Sequence, residues 1–392
     1  MLNETYRGML AHKSVIRETF TYGKQRAAQI GYENVFDYSL GNPSVPCPQE
    51  FTAAMQDLLA NEEPVNLHGY CPSQGDPGFR TAVAAHLAKT FGLPYEQKHI
   101  FPTTGAAGAI AHAIRAVTQP GDEVLTFAPY FPEYGPYVAG TGAVLKVVPP
   151  QAPTFQPNLD AFEQMIGEKT TCVLINTPNN PSGVVYTRKT LEALGALLTQ
   201  KSLEYGHPIY LISDEPYREL AYGVEVPFVP LIYPNTVVCY SYSKSLSLPG
   251  ERIGYIYVPD SAADSRALYA AVAGAARSAG HVCAPSLWQK VIARCAGLRP
   301  DLQAYDRNRK ALYEGLTAMG YEMAKPDGAF YLFIKAPGGD ANAFSEKAKE
   351  RDLLLVPGDG FGCPGYFRIC YCVSYDMIQR SLPVFRALIN ED

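Results

Sequence analysis

The chain has 392 residues, 47% of them hydrophobic and 18% charged, with 33 Gly, 32 Pro and a formal net charge of −5. Such a balance belongs to a folded globular protein of two or three structural units; it excludes a fibre, a disordered chain, and a basic surface for nucleic acid or an anionic membrane. The opening residues lack a secretion signal's apolar core, and the longest apolar run, "ALYAAVAGAA" over 267–276, is too short for a bilayer, so a cytoplasmic protein without a membrane partner is expected.

In chain order, the first 45 residues show no alternation of strand and helix. From about 99 to 258 β-rich runs alternate with helical ones: "HIFPT" (99–103), "EVLTFA" (123–128), "AVLKVV" (143–148), "TCVLINT" (171–177), "IYLISD" (209–214), "VVCYSYS" (237–243) and "RIGYIYV" (252–258). That pattern predicts an α/β unit with a mainly parallel, doubly wound sheet covered on both faces. Between two of the strands, leucines 191, 194, 197 and 198 recur at helical spacing behind Thr187, a capping residue. After about 286 the texture changes to long amphipathic stretches followed by "FYLFIK", "LLLVP" and "YFRICYCV", the pattern of a smaller α+β unit. The expected division is a large domain over 46–285 and a discontinuous small domain over 1–45 and 286–392. Nine cysteines form no C-x-x-C pair and no metal-like cluster with histidine; Cys370 and Cys372 alternate along one strand face, and all nine read as reduced packing residues with no metal, zinc being the second reading. His68, His112 and His281 read as packing or surface residues.

In an open parallel sheet ligands bind beyond the carboxyl ends of the strands, where helix N-termini also point. Those ends carry a Gly-Ala turn ("TGAAGAI"), an aromatic segment ("PYFPEY"), "PNNPSG" with Asn180, Asp214 followed by Tyr217, and Lys244. Each alone has a bland reading as tight turn, core aromatic, or solvated charge. Together they supply what pyridoxal phosphate requires: a lysine for a Schiff base, a carboxylate for the ring nitrogen, and donors for the phosphate.

The string S-x-S-K from Ser241 with R-x-G at Arg252 resembles the lysine signature of fold-type I pyridoxal-phosphate enzymes, specifically the class I/II aminotransferases of the aspartate aminotransferase-like kind. "SDEPYREL", "TPNNPSG", "GYCPSQGDPGFR" (69–80) and "YFRICYC" are similar to further motifs of that family, in the family's order. The resemblance implies that Lys244 forms the Schiff base and shuttles the proton, Asp214 pairs with the ring nitrogen, and Asn180 and Tyr217 donate to the phenolic oxygen. It further implies that Gly105, Ala106 and Ala107 backbone groups, Ser241 and Arg252 hold the phosphate, that Phe131 stacks on the ring, and that Tyr70 reaches the phosphate from the partner subunit of a homodimer. Arg368, with Asn180 and the Gly41 backbone, is implied to bind the substrate α-carboxylate, and Arg277 is a candidate for a distal carboxylate. Two positions depart from the family's commonest pattern: Ala106 and Ala107 where a hydroxyl residue is frequent, and Phe131 where Trp or Tyr is frequent. The implied activity is amino transfer between an L-amino acid (aspartate, glutamate, or a broader or aromatic set) and a 2-oxo acid such as 2-oxoglutarate. The alternatives are a C–S β-lyase on the same fold and a non-catalytic sensor domain.

Overall fold

The structure, a computed structural model, describes residues 2–11 and 14–390. The strands in chain order are β1 (Phe36–Asp37), β2 (Ile100–Thr103), β3 (Glu123–Phe127), β4 (Val144–Val148), β5 (Thr170–Asn176), β6 (Tyr210–Asp214), β7 (Thr236–Ser241), β8 (Gly254–Tyr257), β9 (Tyr331–Lys335), β10 (Leu353–Leu354), β11 (Val356–Pro357) and β12 (Tyr366–Cys370). Seven form the central sheet in the order β2-β8-β7-β6-β5-β3-β4. Every pair from β7 to β4 is parallel, and β8 runs antiparallel to both β2 and β7. The strands are apolar on both faces because both are covered. Val124, Leu174 and Ile212 pack with the Gly105–Val117 and Ser265–Ser278 helices on one side. Their sequence neighbours Leu125, Val173 and Leu211 pack with Leu191, Leu194 and Leu198 of the Arg188–Tyr205 helix on the other. The Thr187 hydroxyl accepts from the Thr190 amide at 3.1 Å to start that helix, and Gly206 ends it at φ +74°.

Two strand ends of the central sheet differ from the sequence expectation by two residues, and both matter for the site. The run expected through Ser243 stops at Ser241, whose hydroxyl accepts from the Ser243 amide at 3.2 Å and caps a single helical turn, Tyr242–Ser245. The run expected from Arg252 begins at Gly254, because Arg252 sits at φ +51°, outside extended backbone.

The second body is built on the antiparallel sheet β11-β12-β9, covered by the Leu302–Ala318 and Tyr375–Ile389 helices. The chain's early part joins it: β1 pairs in parallel with β10, and Tyr38 lies in its core. The Ser286–Cys295 helix was expected with this smaller unit but packs elsewhere. Its Val291 and Ile292 share a core with Phe79 and Leu87, against the Gln49–Asn61 and Pro77–Phe91 helices beside the large sheet. An amphipathic stripe fixes that a helix buries one face and leaves open which neighbour receives it. Among the described residues no helix is long and apolar enough to cross a membrane, and no group of three or more His, Cys, Asp or Glu side chains could hold a metal ion.

Candidate active site

A pocket of about 270 Å³ opens at the carboxyl ends of β5, β6 and β7, between the large sheet and the second body. Gly41, Ala106, Ala107, Phe131, Asn180, Asp214, Tyr217, Ser241, Lys244, Arg252 and Arg368 all line it. They come from segments far apart in sequence, gathered because successive parallel strands end on the same edge.

One end of the pocket is a nest of hydrogen-bond donors. The Gly105–Val117 helix begins there, its first N–H groups free of intrahelical partners and its positive dipole end at the pocket. Gly105 has φ +78°, a conformation that L side chains rarely adopt, and a Cβ on it would stand 2.8 Å from Arg252 Nη2 and displace the guanidinium, which accounts for glycine at this turn. Arg252 is exposed; it donates to the carbonyls of Pro249 (2.8 Å) and Thr104 (3.3 Å) and approaches Ser243 Oγ at 3.5 Å. The Ser241 and Ser243 hydroxyls are 2.7 Å apart. Guanidinium, hydroxyls and helix amides form the donor set a phosphate dianion requires.

The other end is buried and more fully networked. Asp214 Oδ2 accepts from the Tyr134 hydroxyl at 2.6 Å and from Asn176 Nδ2 at 3.3 Å, while Oδ1, buried, has no partner in the protein. Burial raises this carboxyl to about 7 despite the hydrogen bond from Tyr134, with the Glu215 charge adding to the rise. An unpartnered carboxylate oxygen at a pocket wall calls for a cationic or N–H donor, and a protonated ring nitrogen is one. Asn176 also accepts from the Asn180 amide at 2.7 Å, so a single side chain ties Asp214 to the Asn180 turn. Phe131 meets Tyr134 edge-on at 5.7 Å between ring centres.

From the second body, Arg368 projects off β12 with 2% of its surface exposed. Its Nη1 donates to Asn180 Oδ1 at 3.0 Å and its Nη2 to the Ser39 carbonyl, whereas Nε is buried without a partner. The guanidinium lies over the Tyr331 and Phe361 rings at 4.8 and 5.1 Å. Tyr217 and Tyr331 share a hydroxyl–hydroxyl hydrogen bond of 2.9 Å. Lys244 Nζ donates to the Gly41 carbonyl at 2.7 Å and lies 5.5 Å from the Phe330 ring centre; burial pulls its ammonium below the usual lysine value. A Cβ on Gly41 would come within 2.2 Å of Tyr331 Oη, which accounts for glycine there.

Three expected site residues are absent from the lining of this pocket: Gly105, whose neighbours Ala106 and Ala107 do line it, Tyr70 and Arg277. Tyr70 is fully exposed (101%), and Arg277 is exposed in the last turn of the Ser265–Ser278 helix. Sequence reasoning missed Asn176, Tyr134, Ser243 and Tyr331. Asn176 lies in the strand run "TCVLINT", just before the "PNNPSG" turn singled out for Asn180, and Tyr134 ends the segment "PYFPEY" singled out for its aromatic face. Tyr331 comes from the second body, where nothing local in the sequence points to the site.

The sequence model of the family "Aminotransferase class I and II" matches residues 33–383. An aspartate aminotransferase of Thermotoga maritima is 29% identical over 91% of this chain and 92% of its own. A probable N-acetyl-LL-diaminopimelate aminotransferase of Bacillus subtilis is 30% identical over 90% and 88%. Among solved structures, an amino transferase of Eubacterium rectale superposes with a TM-score of 0.97 at 51% identity, over 100% of this chain and 99% of its own. The Thermus thermophilus aspartate aminotransferase with maleate gives 0.86 at 26% identity, over 99% of each chain. The orphaned Asp214 oxygen, the donor nest and the half-buried lysine of one pocket thus sit in a chain that belongs to the class I and II aminotransferases, and the protein is a pyridoxal-phosphate-dependent transaminase.

Proposed function

We propose that Lys244, Asp214 and Arg368 divide the work of amino transfer between an L-amino acid and a 2-oxo acid. The observation that carries this reading is the meeting, in one pocket, of a half-buried lysine with a carboxylate oxygen and an arginine nitrogen that the protein leaves unpartnered. When bound, pyridoxal phosphate supplies an aldehyde that condenses with amines and a ring that withdraws electrons from the substrate Cα. Lys244, whose buried ammonium gives up its proton more readily than an exposed lysine, takes and returns a proton at Nζ. Asp214 Oδ1 holds the positive charge of the ring nitrogen, oriented by Tyr134 and Asn176 on its other oxygen. Asn180 and Tyr217 donate at the phenolic oxygen; the amides of Gly105, Ala106 and Ala107 with Ser241 and Arg252 hold the phosphate; Phe131 covers the ring. Arg368 binds the α-carboxylate with its planar fork, aided by Asn180 and Gly41.

The working unit is a homodimer with composite sites. Tyr70, fully exposed and outside its own chain's pocket, is supported in that arrangement as the donor to the neighbour's phosphate.

For the substrate side chain two readings compete. The relatives named aspartate aminotransferase, and the Thermus structure with maleate, support a dicarboxylate, whose distal group would pair with Arg277 of a second copy. Against that, the only cations among the described residues that line the pocket are Lys244, Arg252 and Arg368, and Ile16, Leu40, Ile110 and Tyr331 also form part of the wall, which favours a broad or aromatic set. Steady-state kinetics with aspartate and phenylalanine, 2-oxoglutarate as acceptor, decide between them. On the dicarboxylate reading Arg277→Ala lowers kcat/KM for aspartate by about 2–5 kcal/mol and spares phenylalanine. An equal effect on both, or none, assigns the pocket to the broader set. Pyruvate release without an acceptor would instead indicate the lyase, which none of the relatives named above supports.

A further inference from the structure

Strand β12 delivers Arg368 to the pocket, and at the strand period of two the same face continues through Cys370 to Cys372. Their sulfurs are 2.8 Å apart, one thiol donating to the other, and both cysteines are free and buried, with 0% and 4% of their surface exposed. Cys372 Sγ also lies 4.0 Å from the Leu40 carbonyl, next to the Gly41 carbonyl that receives Lys244 Nζ. The pair therefore abuts the segment that seats the lysine, and both thiols feel the charges of Lys244 and Arg368.

Burial pushes Cys370 up, but the side-chain and amide hydrogen bonds from Cys372, with the Arg368 and Lys244 charges, outweigh it and bring this thiol below its usual value. Burial and the hydrogen bond to Cys370 push Cys372 well up. Cys370 thus gives up its proton more readily than Cys372, and the two sulfurs already touch, an asymmetric pair at short range. No step of amino transfer uses either sulfur, and neither lines the pocket.

We propose that Cys370 and Cys372 form a modification site that takes a two-electron oxidant of the hydroperoxide class and closes to an intrachain disulfide beside Lys244 and Arg368. The Cys370 sulfur attacks the peroxide, the O–O bond breaks, and the departing oxygen takes up a proton, leaving Cys370 as a sulfenic acid. The Cys372 sulfur then attacks Cys370, the S–S bond forms, the S–O bond breaks, and the oxygen leaves as water with the Cys372 proton. The peroxide gains the two electrons that the thiols lose. From 2.8 Å the sulfurs need to move less than an ångström to reach a bonded separation of about 2.05 Å. Oxidation ties together two residues at the end of the strand that carries Arg368, beside the segment that receives Lys244 Nζ, so activity should fall.

The test treats the holoenzyme with hydrogen peroxide, quenches with iodoacetamide, and digests with trypsin. Ile369–Arg380 is a single tryptic peptide that contains both cysteines and no others. The expected peptide takes no label and is about 2 Da lighter than its reduced form, from loss of two hydrogens. Activity should fall several-fold in parallel and return with dithiothreitol, while Cys372→Ser keeps its basal rate and no longer shows the reversible loss. Two labels on that peptide after peroxide, or a sulfinic acid at either cysteine in place of the crosslink, would overturn the proposal. The mass readout on the wild type stands whether or not the serine variant folds, and it does not depend on which reaction is assayed.

Discussion

Arg252 and Arg368 face the same pocket under opposite conditions. Arg252 is exposed and hydrogen-bonded to loop carbonyls, one donor among hydroxyls and helix amides. Arg368 is 2% exposed, and like Asp214 it keeps one buried polar atom without a protein partner. An exposed donor in a redundant set is backed by its neighbours and by water. A buried charge carries its full desolvation cost until a specific partner arrives. The phosphate end should therefore tolerate change and set affinity, whereas the ring-nitrogen and carboxylate end should be intolerant and set rate.

The largest effect expected from that contrast is at Asp214. Asp214→Asn lowers kcat by about 10²–10³, the scale for deleting one preorganised electrostatic partner, while the phosphate nest still retains cofactor. A near-wild-type rate would remove Asp214 from the chemistry. The same residue makes a pH prediction. Its carboxyl, ordinarily at 3.8, is held at about 7 in the folded chain without cofactor. Its contribution to stability is then complete below the ordinary value and is lost as pH rises through about 7, on the order of 4 kcal/mol. Melting of cofactor-free protein between about pH 4 and 7 should show this decline, and it should be absent from Asp214→Asn.

At the open end, Arg252→Ala weakens cofactor binding by about 1.5–3 kcal/mol, measured by titrating cofactor-free protein, with kcat at saturating cofactor changed little. A loss of kcat as deep as that of Asp214→Asn would erase the distinction between the two ends. The smallest effect is expected at Tyr134. Tyr134→Phe removes one of the two donors to Asp214 Oδ2 and costs about 1–3 kcal/mol of stability. Because that hydrogen bond holds the carboxyl down, its loss should also move the stability decline of the cofactor-free protein to higher pH. An unchanged pH profile would mean that Asn176 alone orients the carboxylate.

How far the site was legible in the sequence follows the same divide between local and distant contacts. Asp214 and Lys244 end or follow apolar runs whose composition marks buried parallel strands, so their place on one sheet edge could be read from the order of the runs. Local backbone detail was less accessible: the turn carrying Lys244 depends on the Ser241 cap, and the late start of β8 on the positive φ of Arg252. Tyr134 and Phe131 are both aromatics in one loop, and only the fold decides which reaches Asp214 and which lines the pocket. Tyr331, packed under Arg368 and bonded to Tyr217, required the docking of the second body onto the first, as did the true neighbours of the Ser286–Cys295 helix.

All of this turns on Lys244 being the residue that receives the cofactor. Borohydride reduction of the holoenzyme followed by peptide mapping measures it directly. The reduced cofactor is expected on the peptide containing Lys244, and Lys244→Ala protein should retain no cofactor through reduction and denaturation. Cofactor fixed to any other lysine would contradict the assignment of this pocket.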